Sequence, residues 1–210
     1  MYFNNNYSNS CGQIKEFCSI TQLQKIVETF YRVTTTDGSG NNCFGIDQKH
    51  FAYPWLNVSL LQSLREQFNP DLKLIFAMLL DCVNPFPIHN DLKEIPEANG
   101  KHFLSFVIPY SVDNDISKCQ HASTLIFNEI YEDLNDLYTC RVEDNFSNLH
   151  EEKISHVPKE TTYAVSLKKE LIWSPGDLLW WDSQLLHVSN NFLKNGHKSK
   201  QGIVIHTYVL

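Results

Sequence analysis

Two short segments of the chain contain side chains that could bind one metal ion. The triplet His89-Asn90-Asp91 offers an imidazole and a carboxylate two positions apart, and His187 ends an apolar segment much later in the sequence. In an extended strand, residues i and i+2 point to the same face, so His89 and Asp91 can converge on one ion. Two imidazoles and one carboxylate on one face of Fe(II) leave about half of its octahedral positions open for chemistry.

Each segment has a simpler interpretation when it is taken alone. The triplet could be an exposed turn, and His187 could be a buried structural histidine. A second triplet, His150-Glu151-Glu152, also offers an imidazole and a carboxylate two positions apart, but it lies in an acidic, polar segment without a β run before it. The sequence therefore favours His89, Asp91 and His187 as the metal ligands and catalytic residues.

Short apolar runs that are rich in β-branched and aromatic residues predict a mainly β protein. These runs cover residues 72–83, 101–110, 123–129, 162–172, 176–188 and 202–210. Two segments with helical spacing precede them, at 21–31, where Thr21 is the expected N-cap, and at 59–68. Residues 34–50 predict a loop. We therefore expect a jelly roll, or double-stranded β-helix, that is buttressed by N-terminal α-helices.

This pattern predicts a single domain over residues 1–210. Residues 1–71 would form a polar N-terminal segment and the helical buttress, and residues 72–210 would form the jelly-roll core. An acidic insertion at about 131–160 interrupts this core, and insertions of this kind often serve as lids or binding loops.

The composition argues against several classes of partner. The formal net charge of −7 disfavours binding to nucleic acid, which needs clustered Lys and Arg. The apolar run at 74–80 is far shorter than the roughly 20 residues of a membrane span. No secretory signal precedes the helices, so we expect a cytoplasmic protein without membrane contact. The six cysteines include no C-x-x-C pair and are expected to be reduced thiols. The sequence leaves the oligomeric state open.

Together these segments resemble the Fe(II)- and 2-oxoglutarate-dependent oxygenase superfamily over roughly residues 72–210. The resemblance consists of the strand into H-N-D, the strand F-L-S-F-V-I-P-Y, the segment S-T-L-I-F-N-E, the P-G-D turn before a strand that ends in His187, and a basic residue before the last strand. It implies a double-stranded β-helix with Fe(II) near one open end, held by His89, Asp91 and His187. Asp182 and neighbouring amides could orient His187.

The family also uses a cation on the last strand to hold the distal carboxylate of 2-oxoglutarate, through a charge-assisted bond. Lys198 and Lys200 are the candidates in this sequence. We prefer Lys200 because its register agrees with the hydrophobic pattern of the strand. In that register the inward side chains are those of Gly202, Val204 and His206, and the outward side chains, beneath the N-terminal helices, are those of Ile203 and Ile205.

Two features depart from the family pattern. Arg is common at the position of the cation, whereas Lys provides a point charge rather than a bidentate fork. A hydroxyl-bearing residue often lies two positions later, where this chain has Gly202. The hydroxyl could come instead from Ser105, Tyr110 or Thr207.

The resemblance implies a dioxygenase that couples substrate oxidation to the conversion of 2-oxoglutarate and O2 into succinate and CO2. The presence of Asp91 favours hydroxylation or desaturation, because halogenating relatives lack this carboxylate. The expected substrate is a small molecule, an amino acid or a peptide. Two alternatives stay open: a cupin-like metalloenzyme of another type, although the chain has no H-x-H motif, and a non-catalytic jelly-roll module that binds a ligand.

Overall fold

Two antiparallel β-sheets form the framework of the structure, a computed structural model that describes residues 7–30, 35–36, 42–46, 59–91, 102–131, 134–142 and 147–209. The described strands are β1 (Cys11–Ile14), β2 (Thr35–Thr36), β3 (Asn42–Ile46), β4 (Lys73–Cys82), β5 (His102–Val112), β6 (Ser123–Phe127), β7 (Leu167–Ile172), β8 (Leu178–Asp182), β9 (His187–Ser189) and β10 (Lys200–Val209). The larger sheet has the order β1-β8-β5-β10-β4-β3-β2, and the smaller sheet has the order β7-β6-β9. The described α-helices are α1 (Ile20–Phe30), α2 (Leu61–Gln67), α3 (Asp136–Thr139) and α4 (Ser147–Glu152). The prediction of a mainly β protein with a few helices is confirmed.

Strand β10 lies in the middle of the larger sheet and is hydrogen-bonded to β4 on one side and β5 on the other. Because side chains alternate along a strand, its two faces have different surroundings. One face lines a cavity, and the other packs against the apolar cluster that includes helices α1 and α2. The cavity-facing residues are Lys200, Gly202, Val204 and His206, and Ile203 and Ile205 face the helices. The predicted register is confirmed.

The apolar stripes of the two N-terminal helices form one buried cluster with the outer face of the larger sheet. Leu23 and Ile26 of α1 and Leu64 of α2 are almost fully buried there. Helix α1 begins at Ile20, just before the predicted start. Thr21 is not its N-cap, because the Oγ of Ser19 accepts the backbone hydrogen bond from Gln22 at 3.2 Å. The other described helices are short.

Three predicted segments differ from the structure. Within the predicted loop at 34–50, β2 and β3 pair as antiparallel strands and extend the larger sheet. In the predicted strand at 162–172, the first part belongs to a 3-10 helix (Lys159–Ala164), and only β7 is extended. The predicted strand at 176–188 is broken into β8, which joins the larger sheet, and β9, which joins the smaller sheet. The break occurs where the side chain of Asp182 accepts a hydrogen bond from the backbone of Gln184 at 3.0 Å, which forms a turn.

The P-G-D turn before β8 anchors the N-terminal segment. Gly176 has a φ of +81°, and a Cβ at this position would lie 2.4 Å from the carbonyl oxygen of Cys18. The buried carboxylate of Asp177 accepts hydrogen bonds from the backbone of Glu16 at 2.9 Å and the amide of Gln13 at 2.7 Å. Strand β1 then pairs with β8, so the described part of the polar N-terminal segment forms an edge of the larger sheet.

The described part of the chain contains no helix with the length and apolar character needed to cross a membrane. Its cysteines at positions 11, 18, 82, 119 and 140 form no disulfide.

Candidate metal centre

The side chains of His89, Asp91 and His187 meet at one point between the sheets. One possible ligand atom from each of them lies within 4.8 Å of the others. The Oδ1 of Asp91 is 3.4 Å from the Nε2 of His187 and 3.8 Å from the Nε2 of His89. The structure therefore brings together the three residues that the sequence singles out, and two imidazoles and a carboxylate form a donor set suited to a transition metal.

The backbone holds the two histidines side by side. His89 and His187 form an isolated β-bridge, in which the N–H of His187 donates to the carbonyl of His89 at 2.8 Å and the reverse bond is 3.1 Å long. The backbone N–H of Asp91 donates to the carbonyl of Ser183 at 3.1 Å. Main-chain hydrogen bonds therefore hold the two histidines to each other and tie Asp91 to the segment between β8 and β9.

Both imidazoles turn Nε2 toward the carboxylate of Asp91. The Nδ1 of His89 lies 2.7 Å from the carbonyl oxygen of Pro87, and the Nδ1 of His187 lies 3.1 Å from that of Leu185. Because a carbonyl can only accept, each Nδ1 carries a proton, and in a neutral ring Nε2 then carries the lone pair that can bind an ion. The expectation that Asp182 orients His187 is not met, since the carboxylate of Asp182 accepts from the backbone of Asn9 at 2.6 Å and that of Gln184 at 3.0 Å.

The electrostatics of the cluster favour the protonation states that metal ligands need. Burial, followed by the neighbouring His187, lowers the pKa of His89 to about 4, so this imidazole is neutral at neutral pH. Burial acts to raise the pKa of Asp91, but the adjacent imidazoles, first His187 and then His206, hold it well below the usual range. An ionised carboxylate that is only 5% exposed therefore lies beside the neutral imidazole of His89.

The cluster forms part of the wall of a cavity of about 100 Å³. Since one buried water needs about 10–15 Å³ of such space, the cavity is large enough for several waters or one small organic molecule. Apolar residues such as Met78 and Leu80 cover much of its surface. The other polar or ionisable lining residues include Thr124, Ser189, Lys200 and His206.

Lys200 places a cation in the same cavity. Its side chain is buried, with 4% of the residue exposed, and its Nζ lies 4.2 Å from the centre of the Trp173 ring. Its hydrogen-bond partner is the carbonyl of Ser123 at 3.5 Å, and no carboxylate in the described part of the chain pairs with it. Burial lowers the pKa of Lys200 to about 8. Lys198, the other candidate, is exposed outside the cavity.

The structure explains why Gly202 stands where the family pattern has a hydroxyl-bearing residue. A Cβ on Gly202 would lie 3.2 Å from the carbonyl oxygen of Ile108 and 3.2 Å from the indole ring of Trp173. The ring of Trp173, which also covers Lys200, therefore fills the space next to this glycine. A larger residue at position 202 would require one of these groups to move.

None of the three hydroxyls considered from the sequence lines the cavity. Ser105 bonds to the hydroxyl of Ser183 at 2.7 Å and to His206 at 3.2 Å, and Thr207 donates to the carbonyl of Leu104. The third, Tyr110, packs against the apolar cluster beneath the helices. Sequence reasoning missed Thr124, which does line the cavity and accepts a hydrogen bond from the indole of Trp173 at 3.1 Å. Every residue of β6 is buried, so the local pattern does not distinguish Thr124 from its neighbours.

The rival triplet at 150–152 does not form a comparable cluster. His150 lies in α4, and its Nε2 is 2.9 Å from the carbonyl oxygen of Val157. Across the described residues, the group of His89, Asp91 and His187 is the one set of three ligand-bearing side chains close enough to share an ion.

No protein-family model and no curated protein sequence matches this chain. Solved structures do match it. The crystal structure of the non-heme α-ketoglutarate-dependent carbocyclase SnoK from nogalamycin biosynthesis aligns with a TM-score of 0.61 and 12% identity, over 95% of this chain and 79% of that one. HygX from Streptomyces hygroscopicus, with nickel and 2-oxoglutarate bound, aligns with a TM-score of 0.57 and 14% identity, over 98% and 87%. A prolyl-4-hydroxylase from Pseudomonas putida aligns with a TM-score of 0.52 and 9% identity, over 95% and 91%. At these identities the likeness establishes a shared fold.

Proposed function

We propose that the protein is an Fe(II)- and 2-oxoglutarate-dependent dioxygenase that hydroxylates a small molecule, an amino acid or a peptide, and that its two sheets form a double-stranded β-helix. One observation carries this proposal. The cluster of His89, Asp91 and His187 shares a cavity with a buried lysine that has no carboxylate partner in the described structure. The fold that the chain shares with SnoK and HygX supports it.

The donor set fits a divalent transition metal. Imidazole suits Fe among other metals, and one carboxylate with two histidines is the set that non-haem Fe(II) oxygenases use. The two Nε2 atoms point toward the Oδ1 of Asp91, and this buried carboxylate has no Lys or Arg counterion in the described structure. A divalent ion would supply the missing positive charge. His89, Asp91 and His187 would hold it and leave further coordination positions for other ligands.

The other end of the cavity fits a dicarboxylate. Lys200 would bind the distal carboxylate of 2-oxoglutarate, since a buried ammonium without a counterion gains most from an anionic ligand. The hydroxyl of Thr124 already accepts from Trp173, so its own hydrogen is available to a second acceptor, and we assign it as the hydroxyl that replaces the one absent at Gly202.

When bound, iron and 2-oxoglutarate supply the oxidation: 2-oxoglutarate loses CO2 and becomes succinate, one atom of O2 enters succinate, and the other enters a C–H bond of the substrate as a hydroxyl. The protein positions the reactants and excludes water. Met78, Leu80 and Val204 give the cavity an apolar wall, which keeps solvent from the reacting groups.

The substrate would enter at the end of the cavity opposite to Lys200. His206 lies six positions after Lys200 on the same face of β10, which corresponds to about 20 Å between their backbones. His206 is 3% exposed and borders the cavity, and its Nδ1 is 3.2 Å from the hydroxyl of Ser105. Its Nε2 makes no hydrogen bond within the described structure. We assign this nitrogen to a polar group of the substrate. The ring centre of Phe76 lies 4.5 Å from that of His206.

The test is 2-oxoglutarate turnover with Fe(II) and O2, followed as succinate, against a panel of amino acids, short peptides and small metabolites. We expect slow succinate formation without substrate and faster formation with the correct one. The Asp91→Ala variant should lose both activities, whereas Asp71→Ala, which removes an exposed carboxylate, should keep them. Retained succinate formation in a folded Asp91→Ala protein would contradict the assignment.

A further inference from the structure

The two carboxylate oxygens of Asp91 have different surroundings. Oδ1 faces the candidate ion position, 3.4 Å from the Nε2 of His187 and 3.8 Å from that of His89. Oδ2 points away from it and accepts a hydrogen bond from the indole Nε1 of Trp181 at 3.1 Å. The Nδ1 of His206 lies farther from Oδ2, at 4.0 Å. The bond between Asp91 and Trp181 is buried, so it acts without competition from bulk water.

We infer that Trp181 is a positioning residue that makes Asp91 bind the metal through Oδ1 alone. This inference rests on the proposed metal site. The terminal torsion of an Asp side chain is broad and roughly two-fold, so a carboxylate without a second partner can rotate and offer both oxygens to an ion. Bidentate binding would occupy a further coordination position. By holding Oδ2, the indole keeps that position free for the cosubstrate and O2.

The chemistry of the indole suits this task. Its N–H only donates, so the indole neither binds the metal nor changes its protonation with pH. A histidine or lysine at this position could do both. The ring also packs against His187, with the two ring centres 4.8 Å apart, and therefore contacts one ligand while it bonds to another. Strand β8 is paired on both sides, with β1 and β5, which holds the backbone from which this indole extends.

The neighbouring Trp180 provides a matched control. It lies on the opposite face of β8, where it packs against Tyr7 and Phe68 rather than the cavity. Replacing Trp180 by Phe removes an indole N–H from the same strand without touching Asp91. A comparison of Trp181→Phe with Trp180→Phe therefore separates loss of the bond to Asp91 from loss of an indole in this sheet.

The experiment is a titration of the metal-free protein with Co(II), followed by its visible absorption. We expect Trp181→Phe to bind Co(II) about 10–100-fold more weakly than wild type, the usual effect of removing a partner of a metal ligand. The shape of the Co(II) band should also change, because the coordination by Asp91 changes. Trp180→Phe should match wild type in both respects. If Trp181→Phe has the affinity and spectrum of Trp180→Phe, the inference is wrong.

A second measurement uses the wild-type protein, in case Trp181→Phe does not fold. With 15N-labelled indoles, the Trp181 resonance is identified by elimination with Phe variants at positions 55, 173 and 180. We expect its N–H to exchange slowly with solvent and to shift when Zn(II) is added, while that of Trp180 does not shift. Rapid exchange without a Zn(II) response would overturn the inference. If wild type binds neither Co(II) nor Zn(II), the proposed function fails as well. If wild type binds metal and Trp181→Phe behaves as Trp180→Phe, only the inference about Trp181 fails.

Discussion

His89 and His187 exchange both backbone hydrogen bonds, N–H to C=O in each direction, at 2.8 and 3.1 Å. Their rings lie 4.3 Å apart as a result. Main-chain pairing, rather than contact between the side chains, therefore brings together the two segments that carry these histidines. Because backbone hydrogen bonds hold both histidines in place, we expect a site that is organised before the ion binds.

The first prediction concerns metal binding and stability. A ligand whose free concentration is about 100 times its dissociation constant stabilises the folded state by about 2.7 kcal/mol. For a chain of this size, that raises the melting temperature by about 5–10 °C. We expect this shift for wild type with Fe(II) under anaerobic conditions or with Co(II), measured by calorimetry. His187→Ala should lose the shift, because one of its three ligands is gone.

The control for this prediction is His150→Ala, which removes the histidine of the rival triplet. This variant should keep the full metal-induced shift, even if its melting temperature without metal is lower. A shift that disappears in His150→Ala and persists in His187→Ala would show that the ion binds in the insertion instead.

The second prediction concerns the pH dependence of 2-oxoglutarate binding. The pKa of Lys200 is lowered to about 8 by burial, and only the ammonium form attracts a carboxylate. Affinity should therefore be constant below this pH and should fall by up to about tenfold per unit as the pH rises above it. Calorimetric titration of the Zn(II)-loaded protein, which cannot turn over, measures this directly.

Lys200→Arg is the control for the pH dependence, because a guanidinium stays charged over the same range. Any fall in 2-oxoglutarate affinity that comes from deprotonation of metal-bound water would persist in this variant. The fall that comes from deprotonation of Lys200 would vanish. Lys198→Met should behave as wild type, since Lys198 is exposed outside the cavity. Identical profiles for wild type and Lys200→Arg would remove Lys200 from the binding site.

The third prediction concerns Thr124. Thr124→Val keeps the shape of the side chain and removes the hydroxyl, which we assign to the distal carboxylate. Loss of a hydrogen bond to a charged group costs about 1.5–3 kcal/mol, so the 2-oxoglutarate dissociation constant should rise by about 10–100-fold. Thr124→Ser should bind nearly as well as wild type. Metal affinity should be unchanged in both variants. Equal 2-oxoglutarate affinities of Thr124→Val and Thr124→Ser would contradict the role of this hydroxyl.

The fourth prediction concerns the packing of Trp173 over Gly202. Gly202→Ala introduces a Cβ 3.2 Å from the Cη2 of Trp173 and 3.2 Å from a backbone carbonyl oxygen. Overpacking of this kind typically costs about 1–3 kcal/mol of unfolding free energy. In a Trp173→Phe background, which lacks that carbon, the penalty should be smaller. Urea unfolding of the four proteins gives the coupling energy, and strict additivity would mean that the indole does not restrict position 202.

The sequence predicted the strands well where apolar residues were clustered, as in β4 and β10, and it predicted which face of β10 lines the cavity. It missed the pairing of β2 with β3, because Thr, Gly and Asn in that segment resemble a loop and only the partner strand makes them extended. It also joined β8 and β9 into one strand, since Leu185 and Leu186 continue the apolar run through the break.

The candidate site was only partly predictable for the same reason. His89, Asp91 and His187 have a characteristic spacing, whereas the partners of these residues are set by contacts between distant strands. The bond from Trp181 to Asp91 and the position of Thr124 beside Trp173 depend on how the sheets face each other. No local pattern contains that information.

The break between β8 and β9 has a mechanical consequence. His187 belongs to the smaller sheet, while Asp91 is tied to Trp181 of the larger one and to Ser183 between them. An ion bound by both side chains would link the two sheets at this junction. Removal of the ion with a chelator should loosen this link. Deuterium uptake in β9 should then rise well before uptake rises in the strands at the centre of the larger sheet.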